Sequence, residues 1–307
     1  MPQYHILADA WCVQAWTDTK PYCGAGREST LRRREPYHQA LCAAIRDLES
    51  SVRSSGALRA IWTTVERRKN DPDPPERLPD TENLLIWEVG SALKALSVTD
   101  LLRFERQIGA VPPPPHVLGF EARHHLRYEA VRQPLAPTNN TVLAQCDPVV
   151  CELNDLKKVW RVWRLLKQNV VRTPNAGNWR PGDQFNVQIE LSGPKKVNLA
   201  DWEMVKAVVD GFIASLHYYA GDQLDQVSDR IQNRLGGQAS QWRDLLLLQT
   251  NAVLGAWRVP HLKPKGKHLA WSPCDHLLMR CEFIQKRSTD GGWSIAGRLI
   301  RQRSAAT

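Results

Sequence analysis

Two distant stretches of the chain follow the same order of features, and this repetition limits the folds that are possible. An apolar run enters a basic turn and an acidic cluster then opens a helical pattern, first over 58–68 and 80–90 and again over 185–191 and 201–211. Repetition of one unit indicates an array or a duplication of that unit. We therefore expect an α/β chain, a mixed sheet with flanking helices, built from two similar units.

Size and charge bound the class of protein. The chain has 307 residues, a formal net charge of +9 and a sequence pI of about 9.3, which favours an anionic partner, nucleic acid above all. We also expect protein partners in a larger complex. No apolar run approaches the roughly 18 residues that cross a bilayer, so we expect no membrane association.

The cysteines and the start of the chain bear on location. The seven cysteines are an odd count in a chain long enough to bury a core without disulfides, which favours reduced thiols. The first residues lack the basic and apolar segments of a signal peptide. Both observations predict a cytoplasmic protein.

Local patterns predict the order of elements. We expect a first unit over 1–132, a linker over 133–150 and a larger second unit over 151–307 that adds helices and a terminal β-hairpin. The strands are expected at 4–16, 58–65, 123–131 (at a sheet edge), 185–191, 277–285 and 293–299. The helices are expected from Pro36, and at 82–96, 100–107, 154–168, 201–217, 222–234 and 238–256.

The acidic cluster of the second unit has the composition of a divalent-metal site. Asp201 and Glu203 are two residues apart and share one face of extended backbone, while Lys206 lies one helical turn further on and Asp222 follows the helix. Converging carboxylates bind Mg²⁺ or Mn²⁺, and a neighbouring lysine can hold a phosphate. The competing interpretation is ordinary capping, because acids are favoured at a helix start.

The first unit offers a similar but weaker set. Asp80 and Glu82 precede its predicted helix and Asp100 follows it, whereas Ile86 occupies the place of the lysine. Helix capping by Asp80 after a proline is again the alternative. We expect Asp80, Glu82 and Asp100 to form a second metal site that lacks the cation.

The order of these residues resembles the RusA-like Holliday junction resolvases. The family motif is Asp-x-Asp-Asn-x-x-Lys-x-x-x-Asp-(Ala/Gly)-Leu after a strand, with a further Asp about ten residues on. The first cluster follows its first half with Asp80-Thr-Glu82-Asn83 but has Ile86 and Gly90 where the family has Lys and Asp. The second cluster follows the other half with Lys206-Ala-Val-Val-Asp210-Gly211, and Asp222 suits the final acid. In this second cluster, Asp201 and Glu203 are shifted by one residue from the positions of the first two acids of the motif.

The resemblance implies a fold and an activity. It implies two RusA-like α/β units, either as a monomeric pseudo-dimer or in a homodimer, and Mg²⁺-dependent cleavage of branched or structured DNA. Asp201, Glu203 and Asp222 would then hold the metal, and Lys206 would assist at the scissile phosphate. The second unit, which has the lysine, is expected to retain chemistry more readily than the first.

Basic segments are candidates for phosphate contacts. The predicted nucleic-acid-binding residues are Arg32, Arg33, Arg34, Lys195, Lys196, Lys263, Lys265 and Lys267. The predicted basic helix 154–168 also carries Trp160 and Trp163. These indoles either stack on bases or belong to the core, and the apolar stripe of the helix favours the core.

Three functions therefore stay open. The first is a metal-dependent endonuclease on branched DNA, and the second is a non-catalytic DNA- or RNA-binding subunit whose nuclease sites have decayed. The third is a protein-interaction subunit that presents exposed tryptophans. A zinc site at Cys274, His276 and Cys281 with His261 and His268 is a weaker alternative, because the sequence has no Cys-x-x-Cys pair.

Overall fold

The computed structural model of the chain describes residues 3–18, 36–65, 81, 92, 99–116, 119–131, 141–173, 179–180, 183–199, 201–263 and 268–302. These residues form two compact units, both discontinuous in sequence. Unit 1 is drawn from Met1–Thr138, Lys195–Trp202 and Leu278–Arg287, and unit 2 from Asn139–Pro194, Glu203–Leu277 and Ser288–Thr307. The predicted boundaries, 1–132 and 151–307, treat each unit as one continuous stretch.

Unit 1 is a mixed sheet with two described helices. Its elements are β1 (Tyr4–Ala8), β2 (Cys12–Thr17), α1 (Pro36–Asp47), α2 (Glu49–Ser55), β3 (Ala57–Thr64), β4 (Leu101–Ile108), β5 (His124–Ala130) and β13 (Leu278–Arg287). The strand order is β1-β2-β5-β3-β4-β13. The pair β3–β4 is parallel, with Ala57 opposite Leu101, and the other pairs are antiparallel.

Strand alternation gives the sheet of unit 1 two different faces. In β3, Leu58, Ala60 and Trp62 are almost fully buried on one side, while Arg59 projects from the other. The helices α1 and α2 contribute residues such as Ile45 to the apolar core, and α2 packs on β3 and β5. The opposite face carries charge.

Unit 2 contains an antiparallel sheet and four described helices. Its main strands are β6 (Val142–Cys151), β7 (Val170–Arg172), β8 (Phe185–Gly193) and β14 (Trp293–Arg301), in the order β8-β14-β6-β7. The helices are α3 (Val159–Lys167), α4 (Trp202–Ser215), α5 (Leu224–Leu235) and α6 (Ala239–Leu247). Four short strands form two small sheets: β9 (His217–Tyr219) with β10 (Gly255–Trp257), and β11 (His261–Leu262) with β12 (Leu269–Ala270).

Glycines allow the close packing of α4 in unit 2. A Cβ on Gly297 of β14 would lie 2.4 Å from the ring of Phe212, and a Cβ on Gly211 would lie 2.6 Å from Cβ of Val162 in α3. The helix therefore sits against both the sheet and α3 at positions where a larger side chain would collide.

Several predicted elements are confirmed. The helix from Pro36, the strands near 58–65 and 185–191 and the helix near 201–217 correspond to α1, β3, β8 and α4. The basic helix is also present as α3, preceded by a short 3₁₀ turn at Asp155–Lys157. The predicted helix 82–96 lies outside the described residues, apart from Ala92.

Other predicted elements are wrong. Residues 100–107 form strand β4 and not a helix, because β3 and β13 bind its two edges. The strand near 123–131 is not at an edge, since β5 lies between β2 and β3. The predicted linker 133–150 runs into β6, and the long helix 238–256 ends with α6 at Leu247.

The ends of the chain also differ from the prediction. The single strand 4–16 is a pair of strands, β1 and β2, paired with Tyr4 opposite Thr17. The terminal β-hairpin does not form, because β13 pairs with β4 of unit 1 whereas β14 lies between β8 and β6 of unit 2. The local turn is present, with Gly291 at a φ of +73°.

Candidate functional site

The predicted metal ligands of the second cluster are held by different partners. Asp201 precedes α4 and its backbone N–H donates to the carbonyl of Asn198 at 2.8 Å. Glu203 is exposed in the first turn of α4. Asp222 has a side chain that is 79% exposed and accepts a hydrogen bond from Arg258 at 3.0 Å. Within the described part of the chain, no three or more His, Cys, Asp or Glu side chains form a group that could hold a metal ion.

Lys206, the predicted catalytic cation, lies between two buried carboxylates of unit 2. Its Nζ is 3.2 Å from Oδ1 of Asp210 and 3.9 Å from Oδ2 of Asp275. The side chains of Asp210 and Asp275 are only 5% and 11% exposed, whereas that of Lys206 is 27% exposed. Asp210 is a position of the family motif, whereas no pattern in the sequence pointed to Asp275, which is distant in the chain.

The first cluster is described only in part. Asp80 and Glu82 lie outside the described residues. Asp100, a predicted metal ligand, forms an ion pair of 2.7 Å with Lys196, a predicted phosphate contact. Both side chains are 53% exposed. Two groups that the sequence assigns to different ligands therefore contact each other.

The predicted phosphate-binding residues fall into two classes. Lys195, Lys196 and Lys263 are described and exposed. The remaining five, Arg32, Arg33, Arg34, Lys265 and Lys267, lie outside the described residues.

Unit 2 has a basic groove that includes part of the predicted basic helix and is also lined by Glu152 and Asp155. It has a volume of about 640 Å³, and Arg161 and Arg164 of α3 line it together with Arg234 of α5. Trp160 lies in the same groove, half-buried, with the guanidinium carbon of Arg161 4.9 Å from its ring centroid. The basic groove therefore combines an indole with three guanidinium groups from two helices.

The cations of the basic groove differ in their partners. Arg161 pairs with Asp155 at 3.3 Å. Among the residues that the structure describes, no carboxylate lies within 4.0 Å of Arg164 or Arg234, and both are exposed. Arg164 and Arg234 are therefore available to an anion that enters the groove.

The two tryptophans of the basic helix have different surroundings. Trp163 is 1% exposed in the core and its ring centroid lies 5.1 Å from that of Trp271. This confirms the core interpretation for Trp163. Trp160 lines the basic groove instead.

Cys151, which also lines the basic groove, is a poor nucleophile. Burial, with a smaller contribution from the charge of Asp155, raises the pKa of its thiol to about 11. The thiolate is the reactive form of cysteine, so this side chain stays protonated and unreactive at neutral pH. The groove has the chemistry of binding and not of thiol catalysis.

Unit 1 carries a row of ion pairs across the charged face of its sheet. Arg59 of β3 forms two hydrogen bonds to Glu105 of β4, at 2.7 and 3.2 Å, and one to Glu129 of β5 at 3.1 Å. Nε of Arg103 donates to Glu282 of β13 at 2.7 Å. Because these guanidinium groups already bind carboxylates, we interpret the row as a device that fixes strand partners and register.

Comparison of the chain with protein families, curated proteins and solved structures finds no match. In the described part of the chain, no helix is both long enough and apolar enough to span a bilayer. The six described cysteines, Cys12, Cys42, Cys146, Cys151, Cys274 and Cys281, are free thiols. Function has to be argued from the geometry of the chain.

Proposed function

We propose that the chain binds nucleic acid through the basic groove of unit 2. The observation that carries this proposal is that Arg164, Arg234 and Trp160 line one open groove. Sites for single-stranded nucleic acid combine cations that follow the phosphates with aromatic rings on which bases stack. The half-buried indole of Trp160 offers such a ring beside the two exposed guanidinium groups.

The charge of the whole chain supports the same proposal. The net charge of +9 raises the local concentration of any polyanion and speeds its association. Exposed Lys195 and Lys263 add positive charge outside the groove. DNA is favoured over RNA in this proposal, and the resemblance described above is the reason for that preference.

Fluorescence anisotropy with labelled oligonucleotides tests the groove. We expect the wild-type chain to bind a single strand with an affinity that falls steeply as salt increases. The double variant Arg164→Ala/Arg234→Ala removes two phosphate contacts, so binding should weaken about tenfold and the slope of log K against log salt should fall by about 1.4. Trp160→Leu should weaken binding without changing that slope, because stacking releases no counterions.

A matched control removes the same charge elsewhere. Arg46 of α1 and Arg298 of β14 are exposed and lie outside the groove. The variant Arg46→Ala/Arg298→Ala should lower affinity much less than the groove variant. Equal losses in the two double variants would show that net charge alone attracts the polyanion and would overturn the groove proposal.

The second proposal is the RusA-like, metal-dependent endonuclease, with two related units. Its support in the geometry is that Lys206 and Asp210 lie one turn apart on α4 and are in contact, with the spacing of the Lys-x-x-x-Asp half of the motif. The carboxylates in the described part of the chain do not form a metal-binding group. The nuclease proposal keeps Asp201, Glu203 and Asp222 as its predicted ligands, and Asp80 and Glu82 of the first cluster lie outside that part.

Cleavage assays separate the two proposals. A four-way junction and a linear duplex of the same sequence are incubated with the chain and Mg²⁺, and the products are resolved on a denaturing gel. The nuclease proposal expects junction cleavage by the wild type that Lys206→Met and Asp201→Asn abolish while DNA binding persists. Binding without Mg²⁺-dependent cleavage would remove the nuclease proposal and leave the non-catalytic subunit.

The proposal extends to assembly and location. A tandem pair of RusA-like units would act as a monomeric pseudo-dimer, and a single working unit would act in a homodimer. Sedimentation velocity of the chain with and without a four-way junction distinguishes the two states. We propose a cytoplasmic site of action, in keeping with the odd number of cysteines.

A further inference from the structure

A run of four prolines in unit 1 has a preset backbone conformation. Each proline ring fixes φ near −65°, and each residue that precedes a proline is pushed towards extended or polyproline II geometry. In Val111-Pro112-Pro113-Pro114-Pro115 both constraints act on three consecutive residues, Pro112 to Pro114. The structure assigns no helix or strand to 110–114, in agreement with a polyproline II segment.

Burial shows which edge of this segment faces outward. A polyproline II helix has three residues per turn, so residues three apart share an edge. Val111 and Pro114 share one edge and both are half-buried. Pro113 and His116 share another edge and both are exposed, as is Pro115. One edge therefore rests on unit 1 and the edge of Pro113 and His116 faces solvent. The third edge has half-buried Pro112 and exposed Pro115.

The segment is held in place before any partner arrives. The indole Nε1 of Trp16 donates a hydrogen bond of 2.9 Å to the carbonyl oxygen of Pro112, and Trp16 is only 2% exposed. This contact joins the proline run to strand β2. A ligand that is already ordered loses less conformational entropy on binding.

The segment also borders a concavity of unit 1. Its volume is about 430 Å³, and Phe120 and Ala122 line it together with the residues from Val111 to His116. An aromatic ring from another protein could lie there against the proline rings. Among the described residues, the carbonyl groups of Pro113 and Pro114 accept no backbone hydrogen bond, so they remain available to a donor.

We propose that Val111–His116 is a ligand for a protein partner whose groove is lined by Trp and Tyr side chains. Such grooves recognise preformed polyproline II segments by packing aromatic rings on proline rings. Their indole N–H and phenol O–H groups donate to proline carbonyls. Nucleic acid does not fit this surface, because the prolines provide neither cations nor backbone N–H donors. The proposal is independent of the basic groove.

Isothermal titration calorimetry of the full chain tests the proposal. The titrants are purified SH3, WW and EVH1 domains, the three kinds of aromatic-lined polyproline readers. We expect at least one to bind, and a synthetic peptide of residues 109–117 to compete. The variant Pro113→Ala/Pro115→Ala should weaken binding about tenfold, because both exposed prolines lose their ring contacts. Absence of binding by every domain would overturn the proposal.

Two controls keep the result interpretable. Pro194→Ala alters an exposed proline outside the segment and should bind like the wild type. The thermal unfolding of each variant is measured, so that a loss of binding is not confused with a loss of fold. If the double variant instead changes self-association in sedimentation velocity, the occupant is a second copy of this chain and the proposed partner is wrong.

Discussion

At the residue scale, the charges of Lys206 and Asp100 are neutralised by side chains of the same unit. Lys206 pairs with Asp210 and Asp275, and Asp100 pairs with Lys196. Residue spacing in the sequence does not predict these ion pairs, because Asp275 is far from Lys206 in the sequence and Lys196 is far from Asp100. The sequence could therefore predict which residue types matter but not the charges that neutralise them.

Lys167 gives the clearest prediction at the residue scale. It is fully buried in unit 2 and its Nζ donates to the carbonyl of His217. Burial lowers the pKa of this ammonium group from 10.5 to about 8. Between these two values the unfolded chain holds a proton that the folded chain has released. The free energy of unfolding must therefore rise with pH across this window.

The variant Lys167→Met removes this titration. Urea unfolding at about pH 7.5 and about pH 9.5 should show the stability of the wild type rising by about 2 kcal/mol relative to Lys167→Met. Lys157→Met, at an exposed lysine just before α3, serves as the control and should follow the wild type. An identical pH dependence in Lys167→Met and wild type would contradict the prediction.

At the scale of elements, periodicity predicted some strands and helices and failed where partners decide the structure. The alternation of apolar and polar residues in 185–191 predicts a strand, and β8 forms there. The apolar spacing after Asp201 predicts a helix, and α4 forms there. The stretch 100–107 is ambiguous in isolation. It becomes β4 because β3 and β13 supply its hydrogen bonds, and β13 comes from near the end of the chain.

The contact between α3 and α4 depends on a glycine. A Cβ at Gly211 would lie 2.6 Å from Cβ of Val162 and 2.9 Å from the carbonyl oxygen of Val159. Alanine favours a helix over glycine by roughly 1 kcal/mol, but overpacking a tight interface costs about 1–3 kcal/mol. We therefore expect Gly211→Ala to lower the free energy of unfolding by about 1 kcal/mol or more, the reverse of the helix-propensity effect.

Thermal and urea unfolding measure this change. Gly292→Ala is the matched control, because a Cβ there meets no atom within 4 Å and the residue has no positive φ. It should leave stability nearly unchanged. A stabilised Gly211→Ala variant would mean that α3 moves away from α4 without loss and that the glycine is not required by packing.

At the scale of the whole molecule, both units are assembled from separate parts of the sequence. A tandem duplication predicts two continuous halves, whereas unit 1 takes its strand β13 from Leu278–Arg287. The described strand pairs also differ between the two units. Unit 1 contains the parallel pair β3–β4, whereas the main sheet of unit 2 has antiparallel pairs. Local sequence patterns cannot reveal this exchange of segments, because they carry no information about which distant strands pair.

The discontinuity predicts how fragments of the chain behave. A fragment of residues 1–138 has β4 without β13, and Arg103 loses the carboxylate of Glu282 to which it donates at 2.7 Å. The loss of β13 also leaves one edge of β4 without its partner strand and removes the fully buried ring of Phe283. Removing a buried Phe side chain typically costs about 3–5 kcal/mol, a large part of the stability of an ordinary domain. We therefore expect the fragment to show no cooperative thermal transition and poor dispersion in its ¹H–¹⁵N spectrum.

A second fragment tests whether β13 is the missing element. Joining residues 278–287 to the end of 1–138 through a flexible linker restores β13 and Glu282 in the same molecule. Cooperative unfolding should return, and Glu282→Gln in this fusion should weaken it again, because an amide does not neutralise Arg103. If residues 1–138 unfold cooperatively on their own, the first half is a self-sufficient unit, as a tandem duplication requires, and β13 is dispensable.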